Sequence, residues 1–218
     1  MDLPQISASV LIPESLDHLV LGCSRLEHGI ALVEERTGVR AVFGGVHPGR
    51  GTRNALLSLG GRCYLEVMAP DPAQAALTWF HGLPELLEPR LVGWVVHLED
   101  VIGLADRLAE AGIPFDGPNP GARVQPGGRR LQWRKLDLVD DRQGILPSFI
   151  SWDPGSAHPA EDAPSGCHLL RFAAQDPDPR EVARQCQLLD IGFLVEPGCR
   201  PRLHARLAGP AGVLDLTS

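Results

Sequence analysis

Residues 53–69 read RNALLSLGGRCYLEVMA, and residues 202–218 read RLHARLAGPAGVLDLTS. Laid over each other without a gap, both are apolar-alternating runs broken by a two-residue turn containing glycine, Gly60-Gly61 in one and Gly209-Pro210 in the other. In both, the second arm ends in leucine, acid, apolar: Leu65-Glu66-Val67 and Leu214-Asp215-Leu216. Alternation with period two is the mark of a strand, and a glycine-containing pair between two such runs marks a hairpin. A looser middle copy runs from Leu131 to Trp152, with its turn at Arg142-Gln143-Gly144. Self-similarity of this kind decides the architecture before any single motif does.

Upstream of each hairpin lies the rest of a unit. Leu16 to Cys23 reads as a strand, and Ser24 with Glu27 reads as a capping box opening a helix. Leu26, Ile30 and Val33 fall at helical spacing, and Gly38 is placed to stop that helix. A short strand around Arg40–Phe43 and a polar loop, GGVHPGRGT, lead into the first hairpin, giving βαβββ. Pro70 to Pro89 reads as a connector with one short helix at Pro72–Trp79. The pattern restarts with a strand at Leu91–Leu98 and an Asp100-capped helix carrying Val101, Leu104, Ala105 and Leu108, stopped at Gly112. The Gly- and Pro-rich residues 113–130 read as a long loop, followed by strands near 131–139 and 145–152. A third pass opens with a strand at Cys167–Ala173, then Asp178-Pro179-Arg180-Glu181 at a helix start, then Val182, Cys186 and Leu189 on one face. Strands near 192–195, 202–208 and 211–217 end the chain.

The expected fold is therefore α+β, built of three βαβββ passes. The first two, at about 14–70 and 90–153, form a double-module domain over 1–153. Residues 154–166 are a linker by composition, and 167–218 are a third βαβββ-like module. Its apolar sheet face has to be covered. The expectation is packing on the first two modules, with a homodimer as the alternative.

Composition narrows the function classes. The 218 residues carry a net charge of −7, with 44% hydrophobic and 22% charged residues. An acidic balance argues against nucleic-acid or anionic-membrane partners, which need basic patches. No apolar run is long enough to span a bilayer, and MDLPQISASV lacks a basic stretch followed by an apolar one. Five scattered cysteines, Cys23, Cys63, Cys167, Cys186 and Cys199, show no CxxC spacing and fit reduced thiols in a cytoplasmic protein. Neither a phosphate-cradling glycine loop nor a GxSxG elbow occurs.

Leu16-Asp-His-Leu-Val-Leu, Phe43-Gly-Gly-Val-His-Pro-Gly-Arg-Gly-Thr-Arg-Asn54, Tyr64-Leu-Glu-Val-Met-Ala-Pro70 and Phe149-Ile-Ser-Trp152 together resemble the glyoxalase-like members of the vicinal oxygen chelate superfamily, which includes bleomycin-resistance proteins and dihydroxybiphenyl dioxygenases. The resemblance runs over roughly residues 14–160. It implies two βαβββ modules whose sheets curl into a cup, with a divalent ion held there in metal-using relatives by the first and last strands of each module. The first-module positions are His18 and Glu66. Their second-module counterparts are Gly93, which has no side chain, and Ser148, a poor divalent ligand. Half of the four-ligand set is missing, which weighs against the glyoxalase reaction itself and does not exclude a metal.

A histidine and a carboxylate on neighbouring strands suit a first-row metal, or pair with each other without one. His47, in the glycine-rich loop, is the candidate third ligand; the alternative is a histidine that stabilises a turn. Arg53 replaces a histidine common at this place in relatives and suits a substrate carboxylate or phosphate, or is a solvated strand-end charge; Asn54 stands beside it. His97 shares strand parity with Gly93 and so should face the cup as an acid–base group or a satisfied interior histidine. Tyr64, Trp152, Met68 and Ile150 share parity with Glu66 and Ser148 and would build an apolar, aromatic wall or an ordinary core, whereas Trp94 faces away. Trp133 fits either face. His158 echoes the family but lies in the linker, where a structural role is expected.

Two functions fit. One is a lyase, isomerase or dioxygenase with a divalent metal (Zn, Ni, Fe or Mn) on His18, Glu66 and His47, Glu66 and His97 as catalytic groups, and Arg53, Asn54, Tyr64, Ser148 and Trp152 around a small oxygenated substrate. The other is a metal-free small-molecule binding protein of the drug-sequestering kind.

Overall fold

The computed structural model of the protein describes residues 12–78 and 80–218. The reading of the first ten residues, and Trp79 at the end of the expected short helix, lie outside them. The chain runs β1 (Leu16–Gly22), α1 (Leu26–Thr37), β2 (Val42–His47), β3 (Thr52–Gly60) and β4 (Cys63–Pro70), then β5 (Arg90–His97), α2 (Val101–Glu110), β6 (Phe115–Val124), β7 (Arg130–Leu138) and β8 (Ser148–Trp152). After the four-residue α3 (Pro159–Asp162) come β9 (His168–Asp176), α4 (Pro179–Leu188), β10 (Val195–Pro197), β11 (Arg202–Gly209) and β12 (Gly212–Thr217). The fold is mixed α+β, mostly sheet.

Eight strands form one sheet in the order β2-β3-β4-β1-β5-β8-β7-β6, and β10-β9-β11-β12 form a second. The large sheet is written twice about its centre. β1 and β5 pair antiparallel, with His18 opposite Val95 and Val20 opposite Gly93. β1 pairs parallel with β4, Val20 opposite Glu66, and β5 pairs parallel with β8, Val95 opposite Ser148. This register makes Gly93 the counterpart of His18, and Ser148 the counterpart of Glu66. The sheet curls until its two outer strands meet: the Arg123 guanidinium on β6 donates to the Gly44 carbonyl on β2. Gly45 allows that approach, because a Cβ there would stand 2.8 Å from the Val124 carbonyl oxygen.

The convex face of this sheet is covered. Val33 and Leu26 of α1, Leu104 and Leu108 of α2, and the inner faces of the second sheet all join one buried cluster. Trp94 anchors it. Its indole nitrogen donates to the Ile145 carbonyl at 2.8 Å, and its ring meets Phe172 edge-on at 5.1 Å. The β11–β12 turn sits on the end of α1, where a Cβ on Gly209 would meet the Thr37 carbonyl at 2.4 Å. Among the described residues, no helix is long and apolar enough to cross a membrane. The five cysteines are free.

Several local expectations are corrected. Residues 115–124 are a strand, not a loop; β6 is an edge strand, where proline costs no ladder bond, and a bulge between Asp116 and Asn119 absorbs the irregular stretch. β2 extends to His47, so that histidine ends a strand. Pro72–Thr78 is not helical: Asp71 accepts from Ala73 N and Gln74 Nε2, and the turns that result give way to a single 3-10 turn at Leu83–Glu85. Ser24 does not cap α1. Arg25 holds the cap position without a side-chain bond, and Glu27 reaches Arg53 instead. The segment after Trp152 is anchored, with His158, Pro159 and Ala160 buried. Asp100 and Asp178 do cap α2 and α4, accepting from Gly103 N and Glu181 N.

Candidate functional site

The concave face of the eight-stranded sheet encloses a cavity of about 230 Å³, which His18, His47, Tyr64, Glu66, Arg123, Trp133, Lys135, Ser148 and Trp152 help to line. Strand alternation puts Tyr64, Glu66 and Met68 of β4 on this face, with His18 and Val20 of β1 beside them.

Glu66 is the centre of one half. It is buried, and its two oxygens look at two imidazoles: His18 Nε2 lies 3.5 Å from Oε2, and His47 Nε2 lies 3.7 Å from Oε1. Asn54 Nδ2 donates to Oε1 at 2.5 Å. Burial pushes the Glu66 carboxyl up, but the neighbouring His18 and His47 and the Asn54 hydrogen bond outweigh it and hold it below its usual value. Burial pushes the His47 imidazole down to about 4, only partly offset by Glu66. His47 is thus neutral at pH 7, and its Nδ1 is 2.9 Å from Thr52 Oγ1.

His18 is oriented by its own neighbour. A register shift in β1 falls between Leu16 and His18 and turns Asp17 inward. Asp17 Oδ1 lies 2.6 Å from His18 Nδ1, while Oδ2 accepts from Trp152 Nε1 at 2.9 Å and lies 3.1 Å from His158 Nε2. His158 Nδ1 accepts from Ala160 N, which leaves the His158 proton on Nε2, facing Asp17. Burial raises the Asp17 carboxyl, yet the His158 and His18 hydrogen bonds hold it well below the usual carboxylate range. An ionised Asp17 fixes a proton on His18 Nδ1 and turns Nε2 toward Glu66. A carboxylate behind a histidine is the usual way of orienting a ligating or proton-transferring imidazole. The His18 ring also stacks on Tyr64, with centroids 4.6 Å apart.

The other half is built differently. Ser148 Oγ donates to Asp137 Oδ1 at 2.5 Å and lies 3.1 Å from Lys135 Nζ, which also bonds Asp137. Trp133 and Trp152 cross edge to face at 5.5 Å and form the wall between the halves. Trp133 reaches the cup because Gly121 on β6 makes room; a Cβ there would stand 2.3 Å from the indole nitrogen.

Two expected site residues stand elsewhere. Arg53 does not line the cavity: β3 alternation points it away from Asn54, and its Nη2 is 3.3 Å from Glu27 Oε1. His97 does not line it either. It lies behind Asp17, with Nδ1 3.9 Å from Asp17 Oδ2 and Nε2 3.3 Å from Glu99 Oε1. Asn54 acts on the site through Glu66 rather than from the cavity wall. Conversely, Asp17, Arg123, Lys135 and Asp137 carry no signal that the sequence analysis could use. Asp17 reads as an outward strand position until the bulge is seen, and Arg123 lies in the stretch read as a loop.

Two imidazole nitrogens and a carboxylate are the right chemistry for a divalent cation. The spacing closes them only in pairs. Among the described residues, no group of three or more His, Cys, Asp or Glu is arranged to hold a metal ion.

The family model for a glyoxalase-like domain matches residues 16–189, four fifths of the chain and all of the eight-stranded sheet. The chain belongs to the glyoxalase-like domain family. This places it among the vicinal oxygen chelate proteins, as the sequence motifs suggested. Among solved structures, a hypothetical protein from Staphylococcus aureus is 14% identical, with a TM-score of 0.61, over 93% of this chain and 84% of that one. Methylmalonyl-CoA epimerase from Mycobacterium tuberculosis is 19% identical, with a TM-score of 0.44, over 69% of this chain and 94% of that one. The Streptomyces coelicolor methylmalonyl-CoA epimerase in complex with 2-nitronate-propionyl-CoA is 18% identical, with a TM-score of 0.46, over 67% and 99%. The first of these likenesses speaks to the fold alone. No curated protein matches the chain by sequence.

Proposed function

We propose that this glyoxalase-like protein is an enzyme that moves a proton on a small oxygenated molecule, a lyase or isomerase reaction passing through an enolate-like anion, with a divalent cation that would draw together His18 Nε2, His47 Nε2 and Glu66, groups that the structure holds only in pairs. The observation that carries this reading is the facing of two imidazole Nε2 atoms onto the oxygens of one buried carboxylate, at 3.5 and 3.7 Å, with each Nδ1 tied back, to Asp17 and to Thr52. With its Nδ1 proton held by Asp17, His18 turns an Nε2 lone pair toward Glu66, which is repulsive unless a cation or a proton lies between them. A neutral His47 is the form that ligates.

Such a cation would polarise a substrate oxygen and acidify the carbon beside it. The chain supplies the rest. Asn54 occupies Glu66 Oε1, which leaves Oε2 as the oxygen that accepts a proton. Lys135, on the opposite wall and bonded to Ser148 Oγ, is the cation for a developing negative charge on the substrate. Trp133, Trp152 and Tyr64 exclude water and so strengthen these interactions.

Metal analysis of protein purified without chelator tests the cation. About one divalent ion per chain, lost in His18→Ala, supports the reading; a metal-free wild-type protein overturns it. A second reading, metal-free binding of a small molecule, is favoured by Gly93 and Ser148, which stand where the second half would need ligands.

A further inference from the structure

We infer that Arg123 is a recognition residue for an anion: the molecule that enters the cup carries a carboxylate, and this guanidinium receives it. Arg123 is only 4% exposed, yet it lines the cavity. A guanidinium has five N–H donors. One goes to the Gly44 carbonyl oxygen, and among the described residues no carboxylate lies within ion-pair distance. Every other buried charge of the cup is matched. Asp17 has His18 and His158, Glu66 has the two imidazoles and Asn54, and Lys135 has Asp137.

A nearly buried cation without an anion is costly, and proteins keep one mainly where a ligand supplies the opposite charge. Burial accordingly lowers the Arg123 pKa, offset in part by Tyr64 and Glu66 across the cavity. The flat guanidinium fork fits the two coplanar oxygens of a carboxylate. The cavity, about 230 Å³ with an aromatic wall, suits a compact organic acid. An acid held there has its carboxylate at the seam between β2 and β6 and its body toward His18, Glu66 and the Trp133–Trp152 wall. The inference rests on the cup as a small-molecule site and stands with or without the cation proposed at His18, His47 and Glu66.

Benzoate, its uncharged isostere benzamide, and phenyl phosphate serve as probes, titrated into the purified protein with cavity tryptophan fluorescence and calorimetry as readouts. Benzoate is expected to bind about tenfold or more tighter than benzamide. Arg123→Gln should erase that preference, and Arg123→Lys should keep part of it. Equal binding of benzoate and benzamide, no binding of either, or an unchanged preference in Arg123→Gln overturns the proposal. A clear preference for phenyl phosphate overturns the carboxylate assignment. The comparison of benzoate with benzamide on the wild-type protein needs no variant, so a misfolded Arg123→Gln leaves it decisive. Metal content, measured on the same samples, judges the cation separately. A metal-free protein that still prefers benzoate refutes the proposed reaction and upholds Arg123.

Discussion

Asp17 decides what His18 can do. Three donors converge on this buried carboxylate, from His18, Trp152 and His158, and together they keep it ionised. Asp17→Asn removes the charge and leaves His18 Nδ1 without its fixed acceptor. The variant should lose about 2–3 kcal/mol of stability, as expected for hydrogen bonds to a charged group. Its affinity for a divalent ion should fall about 10- to 100-fold, the usual effect of losing the carboxylate behind a ligating histidine. Chemical denaturation and metal titration measure the two effects.

His47 gives the site a pH signature. Its folded pKa of about 4 lies below the ordinary 6.5, so the unfolded chain binds its proton first on acidification. Stability from this group is complete above the unfolded value, is lost as pH falls from about 6.5 to about 4, and levels off below that. The loss is about 3 kcal/mol at 1.36 kcal/mol per pH unit. Glu66, with its carboxyl held below its usual value of 4.5, adds a further loss that sets in as pH falls through about 4.5. Denaturant midpoints across pH 5–7 should fall for wild type and stay nearly flat in that range for His47→Gln.

At the scale of elements, β6 is the strand that completes the cup. It carries Arg123 to the seam and, through Gly121, lets the Trp133 indole of β7 lie over it. Gly121→Ala places a Cβ where the indole nitrogen stands, 2.3 Å away. The ring has to move, at a cost of about 1–3 kcal/mol typical of overpacking. Thermal unfolding should report the cost, and an altered tryptophan emission should report the displaced wall. The sequence of β6 does not announce a strand. FDGPNPGARV has prolines and glycines at the density of a loop, and local composition cannot show that the strand will lie at a sheet edge, where those residues are tolerated. The helices are the opposite case: Asp100 and Asp178 announce α2 and α4 by capping chemistry that is complete within four residues.

At the scale of the molecule, the two halves of the large sheet share one backbone plan and differ in chemistry. Glu66 faces two imidazoles and the Asn54 amide in one half, and Lys135 and Ser148 both donate to Asp137 in the other. Register makes Gly93 the counterpart of His18, and nothing stands within 4 Å of the place its Cβ would occupy. Gly93→His therefore returns an imidazole to the cup without a steric penalty at Cβ. It should raise zinc or manganese affinity about tenfold or more by adding a ligand, as read by competition with a chelating dye. An unchanged affinity would show that the two halves do not converge on one ion.

The sequence by itself determined most of the strands, the repeated plan of the large sheet, most helix ends, and the facing of His18, Tyr64, Glu66, Ser148 and Trp152 into one cup, because period-two alternation and capping are properties of a few neighbouring residues. Tertiary structure alone decided the partners. Arg53 and Arg123 are both arginines near glycines, but only the curl of the sheet sends one to Glu27 and the other across the seam to Gly44. Asp17 became central through one bulge, and His97 was left behind it. These outcomes depend on where strands far apart in sequence come to lie, and in a curled sheet that is fixed by register and closure, which no short stretch of chain encodes.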